Sequence, residues 1–139
     1  MNAKVKPQRR RGELSRQDWV QAARGILIKG GMSALSLRGL SEALGVTTGA
    51  FYSLFSSLEE LHDAILEDWI RCNSDPFTRA IEAAGPDGMD QYLAYVRELV
   101  LGPDFDPGFD NAIRDWAHSS PKTAALLRDI EAFRVDQLH

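Results

Sequence analysis

The chain has 139 residues, 44% hydrophobic and 26% charged, which fits one folded domain or a small domain beside a larger one. Its single cysteine, Cys72, excludes an internal disulfide framework and fits a reducing compartment. The longest apolar runs, such as Leu99-Val100-Leu101, are far too short to span a bilayer, so no membrane partner is expected. The net charge of −4 is unevenly spread. Residues 1–58 carry nine Lys or Arg against Glu13, Asp18 and Glu42, a net of +6. Residues 59–139 carry seven Lys or Arg against seventeen Asp or Glu, a net of −10. A polyanion-binding module joined to a part that avoids polyanions has this asymmetry, although the basic tail supplies much of it.

Residues 1–12, MNAKVKPQRRRG, have no apolar period and hold Lys4, Lys6, Arg9, Arg10 and Arg11, which predicts a disordered basic arm. Such an arm can lie along phosphates or reach into a minor groove, or it can be a solvated tail. No apolar signal core follows it, which predicts a cytoplasmic protein. Ser15, with Asp18 three residues on, predicts the cap of a first helix. Trp19, Ala22, Ala23, Ile26 and Leu27 repeat at helical spacing along one buried face, and Gly30-Gly31 ends the helix. Leu35 is expected to pack beneath the next helix, which Ser36 caps.

The stretch Leu37 to Phe55, LRGLSEALGVTTGAFYSLF, reads as two short helices joined by a tight turn at Gly45-Val46-Thr47. Leu40, Leu44, Val46, Phe51 and Leu54 supply an apolar inner face, Ser41 a small crossing point, and Gly45 a left-handed turn. A helix-turn-helix needs this pattern, and an ordinary αα-hairpin also satisfies it. In the second half, Phe51 and Leu54 point inward, joined by Phe55. Thr47, Thr48, Gly49, Ala50, Tyr52 and Ser53 then face outward or lie at the leading edge. Small and hydroxyl residues there suit entry into a major groove, where hydroxyls reach phosphates and methyl groups meet thymine methyls. Tyr52 fits either a phosphate contact or the rim of the core.

A fourth helix begins at Ser56-Ser57-Leu58-Glu59-Glu60, where either serine can close a capping box. Leu58, Leu61, Ile65, Leu66 and Trp69 give it a core face as far as Arg71 or Cys72. Beyond it, Asp75-Pro76, Asp106-Pro107 and Ser120-Pro121 each place a capping side chain before a proline. Helices are predicted near 76–84, 88–101, 107–118 and 121–138. No alternating strand is visible, so the predicted fold class is all-α. His62, His118 and His139 are isolated from one another, and Asp104, Asp106 and Asp110 lack a calcium loop's spacing, so no metal or other cofactor is expected. No catalytic motif is found and no enzymatic activity is expected. Trp69, Tyr92, Tyr95, Phe109 and Trp116 fit either plain core packing or the walls of an apolar ligand pocket.

The run Ser36-Leu37-Arg38-Gly39-Leu40-Ser41, then Leu44-Gly45-Val46-Thr47, Gly49-Ala50-Phe51-Tyr52, Phe55 and Glu59-Glu60-Leu61 resembles the TetR family of bacterial transcriptional regulators. The resemblance covers roughly residues 15 to 70. It implies a helix-turn-helix domain at 13–57 after the arm at 1–12. A helical ligand-binding and dimerisation domain at 58–139 would follow, including a connecting helix at 58–72. It also implies phosphate contacts by Arg38 and Thr47, base-edge contacts by Thr48, Gly49 and Ala50, and a backbone contact by Tyr52. Two positions depart from the family: Leu54 stands where histidine or tyrosine is common, and Leu58 where lysine is common. The family usually continues through two long C-terminal helices that pair with a partner's copies. This chain ends at His139 inside a helical pattern, so it is expected to be shortened or to dimerise through a smaller surface.

The expected function is a ligand-responsive DNA-binding regulator. As a homodimeric repressor it would hold a palindromic double-stranded operator and be released by a small apolar effector. The alternative is a helical ligand-binding or scaffold module with weak or no DNA binding, which Leu54 and Leu58 favour.

Overall fold

α1 (Arg16–Gly30) begins where the expected cap closes. The Ser15 hydroxyl accepts from the Asp18 amide at 3.2 Å, and the Asp18 carboxylate accepts from the Ser15 amide at 2.8 Å. The helix stops because Gly31 turns left-handed, with φ 76°, while its N–H still reaches the Leu27 carbonyl at 2.8 Å. A short 3₁₀ turn, Met32–Ala34, folds back so closely that a Cβ on Gly30 would lie 2.6 Å from that of Ala34. The computed structural model describes residues 14–138, so the arm read at 1–12 and His139 lie outside the described residues.

The remaining helices are α2 (Leu37–Leu44), α3 (Thr48–Tyr52), α4 (Leu58–Trp69), α5 (Asp75–Ala83), α6 (Gly88–Leu101), α7 (Pro107–Ala117) and α8 (Pro121–Leu138). Among the described residues there is no strand, and the fold is all-α. No described helix is long and apolar enough to cross a membrane. The chain divides into two compact units between Ala64 and Ile65.

In the first unit, Trp19, Val20, Ala23 and Leu27 from α1 are buried with Leu35, Leu40, Phe51, Phe55, Leu61 and Ala64. The buried stripe of α1 differs from the predicted one: Val20 is inside, while Ala22 and Ile26 are only half-buried. Both stripes share Trp19, Ala23 and Leu27, and the position of the packing helices chooses between their two flanks. At the start of α4 the two serines divide one cap between them. The Glu60 amide donates to the Ser57 hydroxyl at 3.2 Å, and the Glu60 carboxylate accepts from the Ser56 amide at 3.1 Å and hydroxyl at 2.6 Å.

The second unit is built on Ile65, Leu66, Trp69, Phe77, Ile81, Phe109, Ile113, Trp116 and Leu127. The α-helix predicted to reach Arg71 or Cys72 ends at Trp69, and a π-helical turn, Ile70–Ser74, replaces its last turn. The extra residue per turn carries Asn73 and Ser74 inward, where both are buried. Asn73 is satisfied there by the backbone of Asp106: its amide donates to the carbonyl at 2.8 Å, and its oxygen accepts from the N–H at 3.1 Å. Asp75 does not cap α5 as expected, because the chain enters α5 directly from the π turn and Asp75 already has helical dihedrals. Asp106 and Ser120 do cap, accepting from the Phe109 amide at 3.1 Å and the Thr123 amide at 3.2 Å.

Candidate nucleic-acid interface

α2 carries the inner half of the motif. Ser36 caps it, accepting from the Gly39 amide at 3.0 Å. Leu40 and Ser41 are buried, and the Ser41 hydroxyl is made tolerable there by donating to the Leu37 carbonyl at 2.9 Å. Gly45 then adopts φ 70° and ψ 31°, and the Val46 N–H closes the turn on the Ser41 carbonyl at 3.0 Å. Only glycine takes this backbone without a Cβ penalty, so the direction in which the chain leaves α2 depends on Gly45.

α3 has five residues, too few to be stable alone, so its rigidity must come from what lies behind it. Phe51 is fully buried, edge-on to Trp19 at 5.4 Å between ring centroids and stacked on Phe55 at 4.9 Å. Arg16 locks the far end: its guanidinium lies 4.4 Å from the centre of the Phe55 ring. It donates to the Leu54 carbonyl at 3.0 Å and to the Glu60 carboxylate at 2.5 Å. The Ser56 hydroxyl, Arg16 and the Ser56 amide together lower the Glu60 pKa to about 2. Sequence reading missed this anchor, since nothing local pairs Arg16 with residues 38 and 44 positions away.

The opposite face is open. Thr47, Thr48, Gly49, Tyr52 and Ser53 are exposed and Ala50 is half-buried. Tyr52 is 59% exposed, and its ring lies edge-on to Phe51 at 5.1 Å between centroids. The Thr47 hydroxyl does not cap α3. Ser53 lies just beyond the helix, and its hydroxyl donates to the Ala50 carbonyl at 2.7 Å. Arg38 projects from α2 with its side chain 87% exposed, in a loose pair with Glu42 at 3.3 Å. Such an exposed pair is readily exchanged for another anion. Leu54 and Leu58 are both half-buried. Hydroxyls, an exposed cation in a loose pair and small apolar groups are thereby gathered on α2, the turn and α3, the chemistry that phosphates and groove edges accept.

The residues read as pocket walls are dispersed over the second unit. Trp69, Phe109 and Trp116 are buried, and the Trp69 indole donates to Asp110 at 3.2 Å. Tyr92 is 56% exposed on α6. Tyr95 meets Phe77 at 5.2 Å between ring centroids, and Phe77 in turn meets Phe105 edge-on at 5.5 Å. Arg134 of α8, which sequence reading did not single out, stacks on the same aromatic group.

A buried aromatic pair that fixes a short, solvent-facing helix after a glycine turn defines a helix-turn-helix module, and modules of this class bind duplex DNA. Residues 20–65 match the family model described as bacterial regulatory proteins, tetR family, so this part of the chain is similar to that family's N-terminal DNA-binding domain. Searches of curated proteins and of solved structures gave no match.

Proposed function

We propose that the protein is a ligand-responsive repressor that binds a palindromic operator as a homodimer and is released by a small effector held in its second unit. The observation that carries the DNA-binding half is the exposed face of Thr47, Thr48, Gly49 and Tyr52 on a helix anchored from behind by Phe51 and Phe55. In this reading Thr47, Tyr52 and Arg38 hold phosphates, while Thr48, Gly49 and Ala50 approach base edges and Ser53 lines the margin. The half-buried positions of Leu54 and Leu58 support a packing role for both, so they need not contribute charge to the interface.

Half-buried Tyr95 beside Phe77 supports an apolar effector. Such a ligand acts only through its differential affinity for DNA-competent and DNA-released states. Binding-site selection from random duplexes tests the whole reading. An inverted repeat is expected, with half-sites about one helical turn or a multiple apart. Recovery of no preferred sequence, or a duplex affinity indifferent to salt, would sink it.

A further inference from the structure

Several ions of the second unit are paired. Asp68 is held by Arg71, and Arg114 by Asp110 and Glu131. Arg134 is different. Its Nη2 donates to the Ser74 hydroxyl at 3.2 Å, and its guanidinium carbon lies 5.0 Å from the Phe77 ring centre and 6.0 Å from that of Tyr95. No carboxylate among the described residues pairs with it, and its Nε is buried without an acceptor. One turn further along α8, Gln137 Oε1 is buried without a donor. Arginine stays charged at any ordinary pH, and a buried N–H without an acceptor is costly. Ring faces offset part of the charge but accept no hydrogen bond from Nε.

We propose that Arg134, with Ser74, Phe77, Tyr95 and Gln137, forms the anion end of a ligand site for a small carboxylic acid with an apolar body. The planar guanidinium fork matches a carboxylate, and the flanking rings match an apolar body. Gln137 can turn its amide to offer a second donor. A polyanion is disfavoured, because residues 59–139 carry a net −10. This deepens the effector reading above, on which it rests for its biological role but not for the binding itself.

The test uses the full chain with octanoate and 3-phenylpropionate, each beside its neutral amide, in titration calorimetry and thermal melts. Either acid should bind and raise the melting midpoint, with its amide roughly tenfold weaker or more, the difference expected for losing a charge-assisted hydrogen bond. Arg134→Met should equalise acid and amide. Arg134→Lys keeps the charge and the fold and should retain a weakened preference for the acid. Equal binding of acid and amide by the unaltered protein, no binding of either acid, or a preference that survives Arg134→Met overturns the site. Gel shifts with the selected duplex separate the two readings. Acid binding that needs Arg134 but leaves DNA affinity unchanged supports the site and removes its effector role. Release of DNA by the acids in Arg134→Met overturns the site.

Discussion

Tyr52 and Ala50 sit two residues apart on α3 but have different work to do. Tyr52 offers a hydroxyl at a 59% exposed position, suited to a phosphate, which every sequence presents alike. Tyr52→Phe should therefore weaken binding to all duplexes similarly, by about 0.5–1.5 kcal/mol for one hydrogen bond, as measured by gel shift against several sequences. Ala50 is half-buried at the proposed base-facing edge. Ala50→Leu should instead change which sequences are selected, and unchanged preference would remove it from the readout. Glu60 makes a different prediction. Its pKa is lowered to about 2, below the ordinary 4.5, by the Ser56 and Arg16 hydrogen bonds. The carboxylate thus contributes stability that is fully present above pH 4.5 and is lost as pH falls toward 2. Thermal melts across that window should show a falling midpoint, and Glu60→Gln should flatten this part of the profile.

At the scale of elements, the α2–α3 turn depends on one backbone conformation. Gly45→Ala places a Cβ in the left-handed region and should cost about 1–2 kcal/mol in denaturant unfolding. No heavy atom lies within 4 Å of the added Cβ, so backbone strain rather than collision sets the cost. Phe51→Ala is more damaging, at about 3–5 kcal/mol, because it removes the ring that joins Trp19 to Phe55 behind a five-residue helix. Its loss should abolish specific binding even at temperatures where the second unit still melts cooperatively. α6 behaves unlike the other long helices: none of its residues is buried, and Met89, Tyr92, Leu93, Val100 and Leu101 are exposed. Its helix is nonetheless well specified, since the Asp87 carboxylate accepts from the Met89 and Asp90 amides at 2.9 and 3.0 Å.

For the whole molecule, the charge division of +6 before residue 59 and −10 after it fits the proposed duplex binding by the first part. Counterion release then makes affinity fall steeply with salt, and Arg38→Ala should reduce the log–log slope by about one if Arg38 meets a phosphate. A palindromic operator requires two copies, so mass measurement in solution should give twice the mass of one chain at concentrations where DNA binding is saturated. A monomer bound to a single half-site would contradict the homodimer.

The helix positions were largely legible in the residues themselves. Ser15, Ser36, Asp106 and Ser120 cap within three residues, Gly31 and Gly45 stop helices on the spot, and these are interactions of near neighbours in sequence. The helix-turn-helix spacing belongs to the same class, and the family model covers it. What the residues alone left undecided were choices made between distant segments. Val20 rather than Ala22 is buried in α1, and Arg16 closes on Leu54 and Glu60. The π turn delivers Asn73 to Asp106, and Arg134 meets Ser74 and Phe77 across 60 and 57 positions. A helical stripe can pack on either flank and a long cation can reach many partners, so only the folded arrangement selects which of them meet.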